Sequence, residues 1–164
     1  MSCVGAMTGR KRGQWLLDLF SSVIRPALDG AELHMVSAPG PACPGVTYHE
    51  GIPDAALAAL YRRAWLYASP STYEGFGLPY LEALACGTPV VAFDVGSVAT
   101  LIPDERYGFV VPREDCAALQ QALERALNKS WDRSAIAAWG GSRTWETVAQ
   151  ELLPVLREVA GAKH

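Results

Sequence analysis

The sequence predicts an α/β domain of three layers, in which a parallel sheet carries helices on both of its faces. Segments with strand character alternate with segments of helical periodicity from one end of the chain to the other, the pattern typical of strands joined by helices. Of the 164 residues, 50% are hydrophobic and 19% are charged, which supplies one hydrophobic core and excludes a disordered chain. We therefore interpret residues 1–164 as a single domain.

The first half of the chain supplies four predicted strands and two helices. Apolar residues recur at helical spacing over 14–28, and Pro53 followed by Asp54 is typical of a helix start. Residues 37–45 form a loop rich in proline and glycine. We predict strands at 3–5, 32–36, 46–48 and 65–68, and helices over 14–28 and from Pro53 to about Arg63.

The stretch 67–96 predicts strand, loop, helix, turn and strand in succession. Pro79 suits the first turn of a helix and Gly87 suits its end, while 88–93 is the continuous apolar run of a buried parallel strand. The remaining predicted elements are a strand at 108–111, a helix over 114–127, and a helical tail over 142–159 that Pro154 interrupts. We expect this tail, around Trp145 and 152–159, to expose apolar surface.

Charge and hydropathy exclude several classes of partner. A net charge of -3, with 14 scattered Lys and Arg residues, lacks the basic surface of a protein that binds nucleic acid. No apolar run approaches the roughly 20 residues that cross a bilayer, and the first residues lack the order of a signal peptide. We expect a cytoplasmic protein without a transmembrane segment.

The four cysteines, at positions 3, 43, 86 and 116, form no C-x-x-C pair and have no histidine at metal-ligand spacing. A chain of this length does not need disulfides for stability. We therefore expect free thiols that act as small buried hydrophobic residues rather than as nucleophiles or metal ligands.

The loop after the first strand is where an α/β domain commonly binds phosphate, and here it runs from Gly5 to Gly13. Its glycines are four positions apart, so it matches neither the G-x-G-x-x-G of dinucleotide-binding folds nor the G-x-x-x-x-G-K-[ST] of P-loops. The three histidines have no evident Ser or Cys partner for a hydrolase triad. The loop does carry Arg10, Lys11 and Arg12 ahead of a helix, either as a diphosphate cradle or as solvated surface.

A second group of polar and flexible residues lies between the fourth strand and the next helix. Glu74 precedes Gly-Phe-Gly-Leu-Pro, and Glu82 follows about one turn into the helix. Two carboxylates thus bracket one turn at the carboxyl end of a strand, where they can accept hydrogen bonds from sugar hydroxyls. The alternatives are that Glu82 complements the helix dipole and that Glu74 is an ordinary polar loop residue.

The segment 74–92, EGFGLPYLEALACGTPVVA, resembles the E-x7-E signature of the family 4 retaining glycosyltransferases of GT-B fold, the glycosyl transferases group 1. Other features of the family occur here in the family's order: Gly51 before a helix with Tyr61, then Gly108, and then Trp145. The resemblance therefore covers essentially the whole chain. It implies a Rossmann-like fold, the C-terminal, donor-binding half of a GT-B enzyme. The N-terminal domain, which would precede Met1 and bind the acceptor, is absent from the sequence.

The resemblance also implies the roles of individual residues and the partners. Glu82 would hold the ribose, Glu74 would contact hydroxyls of the donor sugar in an orienting role, and the basic loop would neutralise the diphosphate, with Lys11 as the best candidate. Transfer would retain the sugar configuration by a same-face attack, without a metal or another cofactor. The donor would be a nucleotide-diphosphate sugar carrying a hexose, and the acceptor a glycan, lipid or other hydroxyl compound.

The implied site consists of a catalytic set and a substrate-binding set. The catalytic set is Glu74, Lys11 and Arg10, and the substrate-binding set is Gly5, Arg12, Gly51, Gly75, Phe76, Gly77, Leu78 and Glu82. The loop of His49, Glu50, Gly51 and Ile52 is a candidate for recognition of the base, although an ordinary loop histidine is the alternative at His49.

Two positions depart from the family pattern. Many members have Arg directly after the first Gly of the basic loop, whereas Ala6 follows Gly5 here, so the cations must come from Arg10, Lys11 or Arg12. Thr100 stands where relatives often have Glu, which puts that contact in doubt.

Three hypotheses for function follow. The first is the donor-binding domain of a glycosyltransferase, and the second is a binding-only or catalytically incomplete nucleotide-binding domain. The third is an unrelated flavodoxin-like module, in which the match of Glu74 and Glu82 is accidental. The sequence does not name the sugar, base or acceptor, and it leaves open whether the full-length protein associates peripherally with a membrane.

Overall fold

A computed structural model describes residues 1–4 and 7–161 of the chain, with side chains given outside 2–4. Within these residues, six strands form one fully parallel sheet in the order β3-β2-β1-β4-β5-β6. The strands are β1 (Ser2–Val4), β2 (Leu33–Val36), β3 (Val46–Tyr48), β4 (Tyr67–Ser69), β5 (Val90–Phe93) and β6 (Gly108–Val111). The predicted parallel sheet is confirmed.

The strand order reverses direction between β1 and β4, which are neighbours at the centre of the sheet. The chain runs outward from β1 to β2 and β3, returns to β4, and then runs outward the other way to β5 and β6. Loops that follow two such central strands diverge to opposite faces and leave a crevice at the carboxyl ends of the strands. This crevice is the position in the fold where a ligand is expected.

Helices cover the sheet on both faces. Right-handed crossovers place α1 on one face and α3 and α4 on the other. α3 and α7 both pack against α4, whereas α6 packs against β5 and β6. The helices are α1 (Gly13–Leu19), which continues through a π-helical stretch (Phe20–Ile24) into α2 (Arg25–Ala27), then α3 (Asp54–Arg63), α4 (Leu78–Ala85), α5 (Val98–Leu101), α6 (Cys116–Asn128), α7 (Arg133–Gly141) and α8 (Trp145–Gly161).

Most predicted elements are confirmed, with β3, α3 and β6 at the predicted residues and Pro79 in the first turn of α4. The strand predicted at 65–68 begins at Tyr67 instead. The N–H of Ala64 still bonds the carbonyl of Leu60 at the end of α3. The N–H of Tyr67 bonds the carbonyl of Pro89, just before β5, so pairing with the sheet begins at Tyr67. The helix predicted over 114–127 starts later, because Asp115 caps the N–H of Ala118 at 2.9 Å.

The C-terminal part of the chain differs more from the prediction. Residues Arg133–Gly141 form α7, which was not predicted and which begins where Asp132 accepts a hydrogen bond from the N–H of Ala135 at 3.0 Å. The prediction that Pro154 interrupts the tail is wrong, since α8 runs through it. In so exposed a helix, water can reach the carbonyl that loses its N–H partner at a proline.

The apolar residues of α8 lie exposed, as predicted for the tail. Trp145 is 70% exposed, and the exposed fractions of Leu152, Leu153, Val155, Leu156 and Val159 lie between 46% and 60%. Helix α8 contains no buried residue within the described chain. Its amphipathic sequence therefore presents an apolar stripe that nothing in the described part of the chain covers.

The described cysteines carry free thiols, as expected. The expectation that they are buried is wrong for Cys43, Cys86 and Cys116, which are all half-buried, and Cys3 lies outside the described side chains. Desolvation nevertheless raises the pKa of the Cys86 thiol, which disfavours the reactive thiolate.

Three buried tyrosines connect the central strand to the helices on one face. The rings of Tyr61 and Tyr67 pack edge to face with centroids 5.7 Å apart, and those of Tyr67 and Tyr80 pack in the same way at 5.7 Å. The hydroxyl of Tyr80 lies 2.9 Å from Ser69 Oγ, at the end of β4. Such edge-to-face pairs add stability beyond the area they bury.

A buried polar network fixes the end of α3. Arg133, at the start of α7, donates to the carbonyls of Arg62 and Ala64 at 2.8 Å each and to Thr88 Oγ1 at 3.0 Å. Thr88, which is fully buried, donates in turn to the carbonyl of Tyr61 at 2.5 Å. One arginine therefore ties α7, the segment before β5 and the end of α3 together.

We expect Thr88→Val to lower the free energy of unfolding by about 1–3 kcal/mol, because it removes the two hydrogen bonds that this fully buried hydroxyl makes, to the carbonyl of Tyr61 and to the guanidinium of Arg133. For a chain of this length that corresponds to a Tm lower by about 2–12 °C in a calorimetric scan. The control is Thr47→Val, the same change on an exposed edge-strand position, which should stay within about 0.5 kcal/mol of the wild type. Equal melting of all three proteins would show that the network adds nothing to stability.

Candidate functional site

The loops that follow β1 and β4 meet at the crevice where the strand order reverses. The N–H of Thr72 bonds the carbonyl of Arg10 at 2.8 Å, and Arg10 Nη1 donates to the carbonyl of Tyr73 at 3.0 Å. The arginine side chain also lies beside the Tyr73 ring, 6.0 Å from its centroid. Main-chain and side-chain contacts together hold the basic loop against the loop that carries Glu74.

An ion cluster lies at this junction. Lys11 Nζ donates to Glu74 Oε1, and Arg10 Nη1 lies 3.6 Å from Glu74 Oε2. The side chain of Glu74 is only 7% exposed, that of Lys11 is 17% exposed, and that of Arg10 is 54% exposed. A buried carboxylate is thus covered by two cations whose summed charge exceeds its own, so the cluster presents positive charge toward solvent.

The loop after β5 supports the same site from the other side. Gly96 has a φ of +57°, and a Cβ at this position would lie 2.0 Å from the carbonyl oxygen of Glu74. Ser97 Oγ donates to the carbonyl of Phe76 at 2.5 Å. Only glycine lets the loop after β5 approach the loop after β4 so closely. The loops that follow β1, β4 and β5 therefore build one site.

The Gly-Phe-Gly-Leu segment leads directly into α4. Gly77 takes a φ of +83° immediately before the helix, while Gly75, Phe76 and Leu78 are exposed. The left-handed backbone at Gly77 turns the chain into the helix and leaves the start of α4 at the crevice.

Glu82 lies on α4 and is exposed, with a defined partner. Its Oε2 accepts a hydrogen bond from the buried hydroxyl of Tyr61 at 3.3 Å. The side chain also borders a groove of about 370 Å³ between α4 and the start of α8, together with Phe76, Leu78 and Trp145. Glu82 therefore joins a polar contact on the α3 side to an apolar groove on the α8 side.

The structure brings together the predicted catalytic residues but not every predicted binding residue. Arg12 adopts a left-handed backbone with a φ of +50° just before α1, and within the described chain the ion pairs of Glu74 are those with Lys11 and Arg10. Gly51 forms an exposed turn with a φ of +61° ahead of α3. Gly5 lies outside the described residues.

His49, in the loop considered for recognition of the base, pairs with a second histidine. Its Nε2 lies 3.1 Å from Nδ1 of His34 on β2, and the two ring centroids are 5.3 Å apart. Burial lowers the pKa of His34, which favours the neutral form of that ring. The role of this loop in base recognition stays a prediction.

Sequence reasoning missed the contribution of the loop after β5. Gly96 and Ser97 follow a strand that was predicted correctly, and the carboxyl ends of neighbouring parallel strands share one edge of the sheet. That rule, applied to β5 as it was to β4, would have pointed to both residues. The partner of Glu82 had no comparable local signal, because Tyr61 is 21 positions away.

No group of three or more His, Cys, Asp or Glu side chains in residues 1–4 and 7–161 is arranged to hold a metal ion. None of the helices in the described part of the chain combines the length and the apolar character needed to cross a bilayer.

Comparison with solved structures supports the GT-B architecture. A sucrose-phosphate synthase from Thermosynechococcus elongatus superposes on 99% of this chain with a TM-score of 0.76 and 26% identity, and the match covers 46% of that protein. The catalytic domain of starch synthase IV from Arabidopsis thaliana, bound to ADP and acarbose, matches 96% of this chain and 37% of its own, with a TM-score of 0.72. Its 18% identity shows likeness of fold alone.

Two curated relatives resemble the chain in sequence. A D-inositol 3-phosphate glycosyltransferase of Salinispora tropica is 44% identical over 113 residues, which cover 66% of this chain and 23% of the relative. A phosphatidyl-myo-inositol mannosyltransferase of Mycobacterium leprae is 36% identical over 114 residues, covering 66% of this chain and 30% of the relative. The chain thus matches less than a third of the length of either relative.

The model of one protein family, described as glycosyl transferases group 1, matches residues 1–129. The match includes the basic loop, the ion cluster, α4 with Glu82, and the loop after β5. Fold, relatives and family model agree with the resemblance carried by the two glutamates. The chain therefore belongs to the glycosyl transferases group 1 family.

Proposed function

We propose that this chain binds the nucleotide-diphosphate-sugar donor of a retaining glycosyltransferase that transfers a hexose to a hydroxyl acceptor. The observation that carries the proposal is the cluster of Lys11, Glu74 and Arg10 at the reversal of strand order, in a chain of this family. An open crevice at the carboxyl ends of parallel strands is where α/β folds bind nucleotides.

In this proposal the two glutamates recognise different parts of the donor. Glu82 is exposed and accepts the hydroxyls of the ribose, and the amides of Gly75 to Leu78 face the sugar and the diphosphate. Glu74, buried beneath Lys11, contacts hydroxyls of the donor sugar and keeps the cation in place. The groups thus follow the order ribose, diphosphate and hexose along one edge of the sheet.

In the proposal, the cations of the basic loop stabilise the leaving group of the transfer reaction. As the acceptor oxygen bonds to the anomeric carbon and the bond from that carbon to the phosphate oxygen breaks, negative charge grows on the departing diphosphate, which takes up the proton of the acceptor hydroxyl. Lys11 and Arg10 stabilise that charge, and such an interaction accelerates transfer because it is stronger in the transition state than in the ground state. Attack on the face that the diphosphate leaves retains the configuration of the sugar.

The acceptor is the part of the proposal that depends on protein outside this chain. The chain matches 23% and 30% of the length of two relatives, so most of each relative has no counterpart here. We propose that residues beyond this chain hold the acceptor. Both relatives are named for inositol compounds, so polyhydroxylated rings belong with glycans and lipids among the acceptors to be tried.

We expect one of UDP, GDP and ADP, or one of their hexose conjugates, to raise the Tm of the chain selectively in a thermal-shift screen. A ligand at about 100 times its dissociation constant adds roughly 2.7 kcal/mol, or about 5–10 °C for a chain of this size. Glu82→Ala should reduce this rise in Tm, whereas Glu124→Ala, at an exposed position on α6, should not. Absence of any shift in a cooperatively melting sample would contradict donor binding, and an equal shift in Glu82→Ala would contradict the ribose role.

We expect Arg10→Gln to weaken binding of the nucleoside diphosphate by about 5- to 10-fold, the effect of losing one charged contact to phosphate. Binding of the corresponding nucleoside, which has no phosphate, should not change in the same titration calorimetry. Arg113→Gln is the matched control, because Arg113 is also exposed and also lies near a glutamate, at 3.4 Å from Glu114. Equal losses in the two variants would mean that Arg10 acts only through the overall charge.

The proposal assigns neutralisation of the diphosphate to side chains, so we expect no metal requirement for donor binding. The dissociation constant of the nucleoside diphosphate should be the same in EDTA and in Mg²⁺, measured by calorimetry on the same sample. Tighter binding only with Mg²⁺ would show that the cations of the basic loop do not suffice.

A further inference from the structure

We infer that Tyr61 is a positioning residue, whose buried hydroxyl fixes one oxygen of Glu82 so that the other faces the ribose of the donor. This inference rests on the proposed function, since it assumes that Glu82 receives the ribose. It concerns how the protein distinguishes a ribonucleotide from a deoxyribonucleotide, for which it assigns a residue that touches no part of the donor.

The hydrogen bond between Tyr61 and Glu82 joins a buried hydroxyl to an exposed carboxylate. The Tyr61 side chain is 1% exposed, and its hydroxyl lies 3.3 Å from Oε2 of Glu82, an exposed residue on the neighbouring helix. Its ring packs edge to face on Tyr67 in the core, which fixes the direction of the hydroxyl. The carboxylate is therefore held from the protein interior while it remains open to solvent.

The main chain of Tyr61 is fixed as firmly as its ring. Its carbonyl accepts a hydrogen bond from Thr88 Oγ1 at 2.5 Å. Thr88 Oγ1 in turn accepts a hydrogen bond from Arg133 at 3.0 Å. Arg133 also binds two carbonyls at the end of α3. The hydroxyl of Tyr61 therefore projects from a segment that is anchored both at the ring and at the backbone.

Holding one oxygen of Glu82 has a consequence for binding. An exposed glutamate side chain has many rotamers, and freezing them when a ligand binds costs conformational entropy. A carboxylate offers about four lone-pair sites, so an oxygen engaged by a phenol leaves the second oxygen free to accept from a ribose hydroxyl. Tyr61 thus prepares Glu82 for the ribose before the donor arrives.

The test compares a nucleoside diphosphate with its 2′-deoxy and 3′-deoxy analogues, using the base selected by the thermal-shift screen. In titration calorimetry we expect Tyr61→Phe to weaken binding of the ribonucleotide by about 3- to 10-fold and that of at least one deoxy analogue by less than about 2-fold. The discrimination ratio, which is the dissociation constant of that deoxy analogue divided by that of the ribonucleotide, therefore falls. A purely structural role would weaken all three ligands alike, which would overturn the inference.

Controls separate this inference from the proposed function. Tyr107→Phe, at a half-buried tyrosine that stacks on Trp139, should leave the ratio unchanged. Glu82→Ala should lower the ratio at least as far as Tyr61→Phe does, and adding Tyr61→Phe to it should have no further effect.

Each failure has a separate meaning. An unchanged ratio in Glu82→Ala would refute the ribose role itself, and this inference with it. A lower ratio in Glu82→Ala beside an unchanged ratio in Tyr61→Phe would refute only the role of Tyr61. Thermal melting of each variant shows whether the comparison is made on folded protein.

Discussion

The candidate site depends on one buried carboxylate and the cation that pairs with it. Glu74 is 7% exposed, and removing the partner of a buried charge typically costs about 3–5 kcal/mol, so the carboxylate needs Lys11 beside it. That pair joins the loop after β1 to the loop after β4, which diverge to opposite faces of the sheet. The same contact that satisfies the buried carboxylate therefore holds a positive charge at the crevice.

The support for this pair comes from several loops, each of which limits the others. Gly96 lets the loop after β5 approach the carbonyl of Glu74, and Ser97 holds the carbonyl of Phe76. On the opposite side, Thr72 and Tyr73 bind the main chain and side chain of Arg10. Because three strand ends converge, the shape of the site follows from the register of the central sheet rather than from any single loop.

The sequence was sufficient to predict those parts of the fold and site that depend on local patterns. The apolar run of β5, Pro79 at the start of α4 and the spacing of Glu74 and Glu82 are all short-range signals. Pro79 lies in the first turn of α4 as predicted, and β5 lies within the predicted run 88–93 but begins at Val90. The structure has Lys11, the best sequence candidate for the cation at the diphosphate, beside Glu74, and its role toward the diphosphate stays a proposal.

What the sequence did not predict depends on contacts between distant residues or on weak local patterns. Helix α7 is short and rich in small residues, with two glycines at its end, so its apolar periodicity is faint, and the side chain of Asp132 defines its start. Arg133 reaches Ala64 across 69 positions, and Tyr61 reaches Glu82 across 21. Such pairs become visible only once the strand order has placed α3, α4 and α7 side by side.

The network around α3 links the stability of the fold to the proposed binding role of Glu82, through groups in different surroundings. Thr88 is fully buried, so loss of its hydroxyl removes two hydrogen bonds from the interior, and the cost falls on the folded state as a whole. The acceptor of the Tyr61 hydroxyl is an exposed carboxylate, which water can solvate when the phenol is gone. In the proposal, removing that hydroxyl therefore acts on the orientation of Glu82. If Glu82 receives the ribose as proposed, a single anchored segment determines both how firmly the domain is folded and how selectively it holds that ribose.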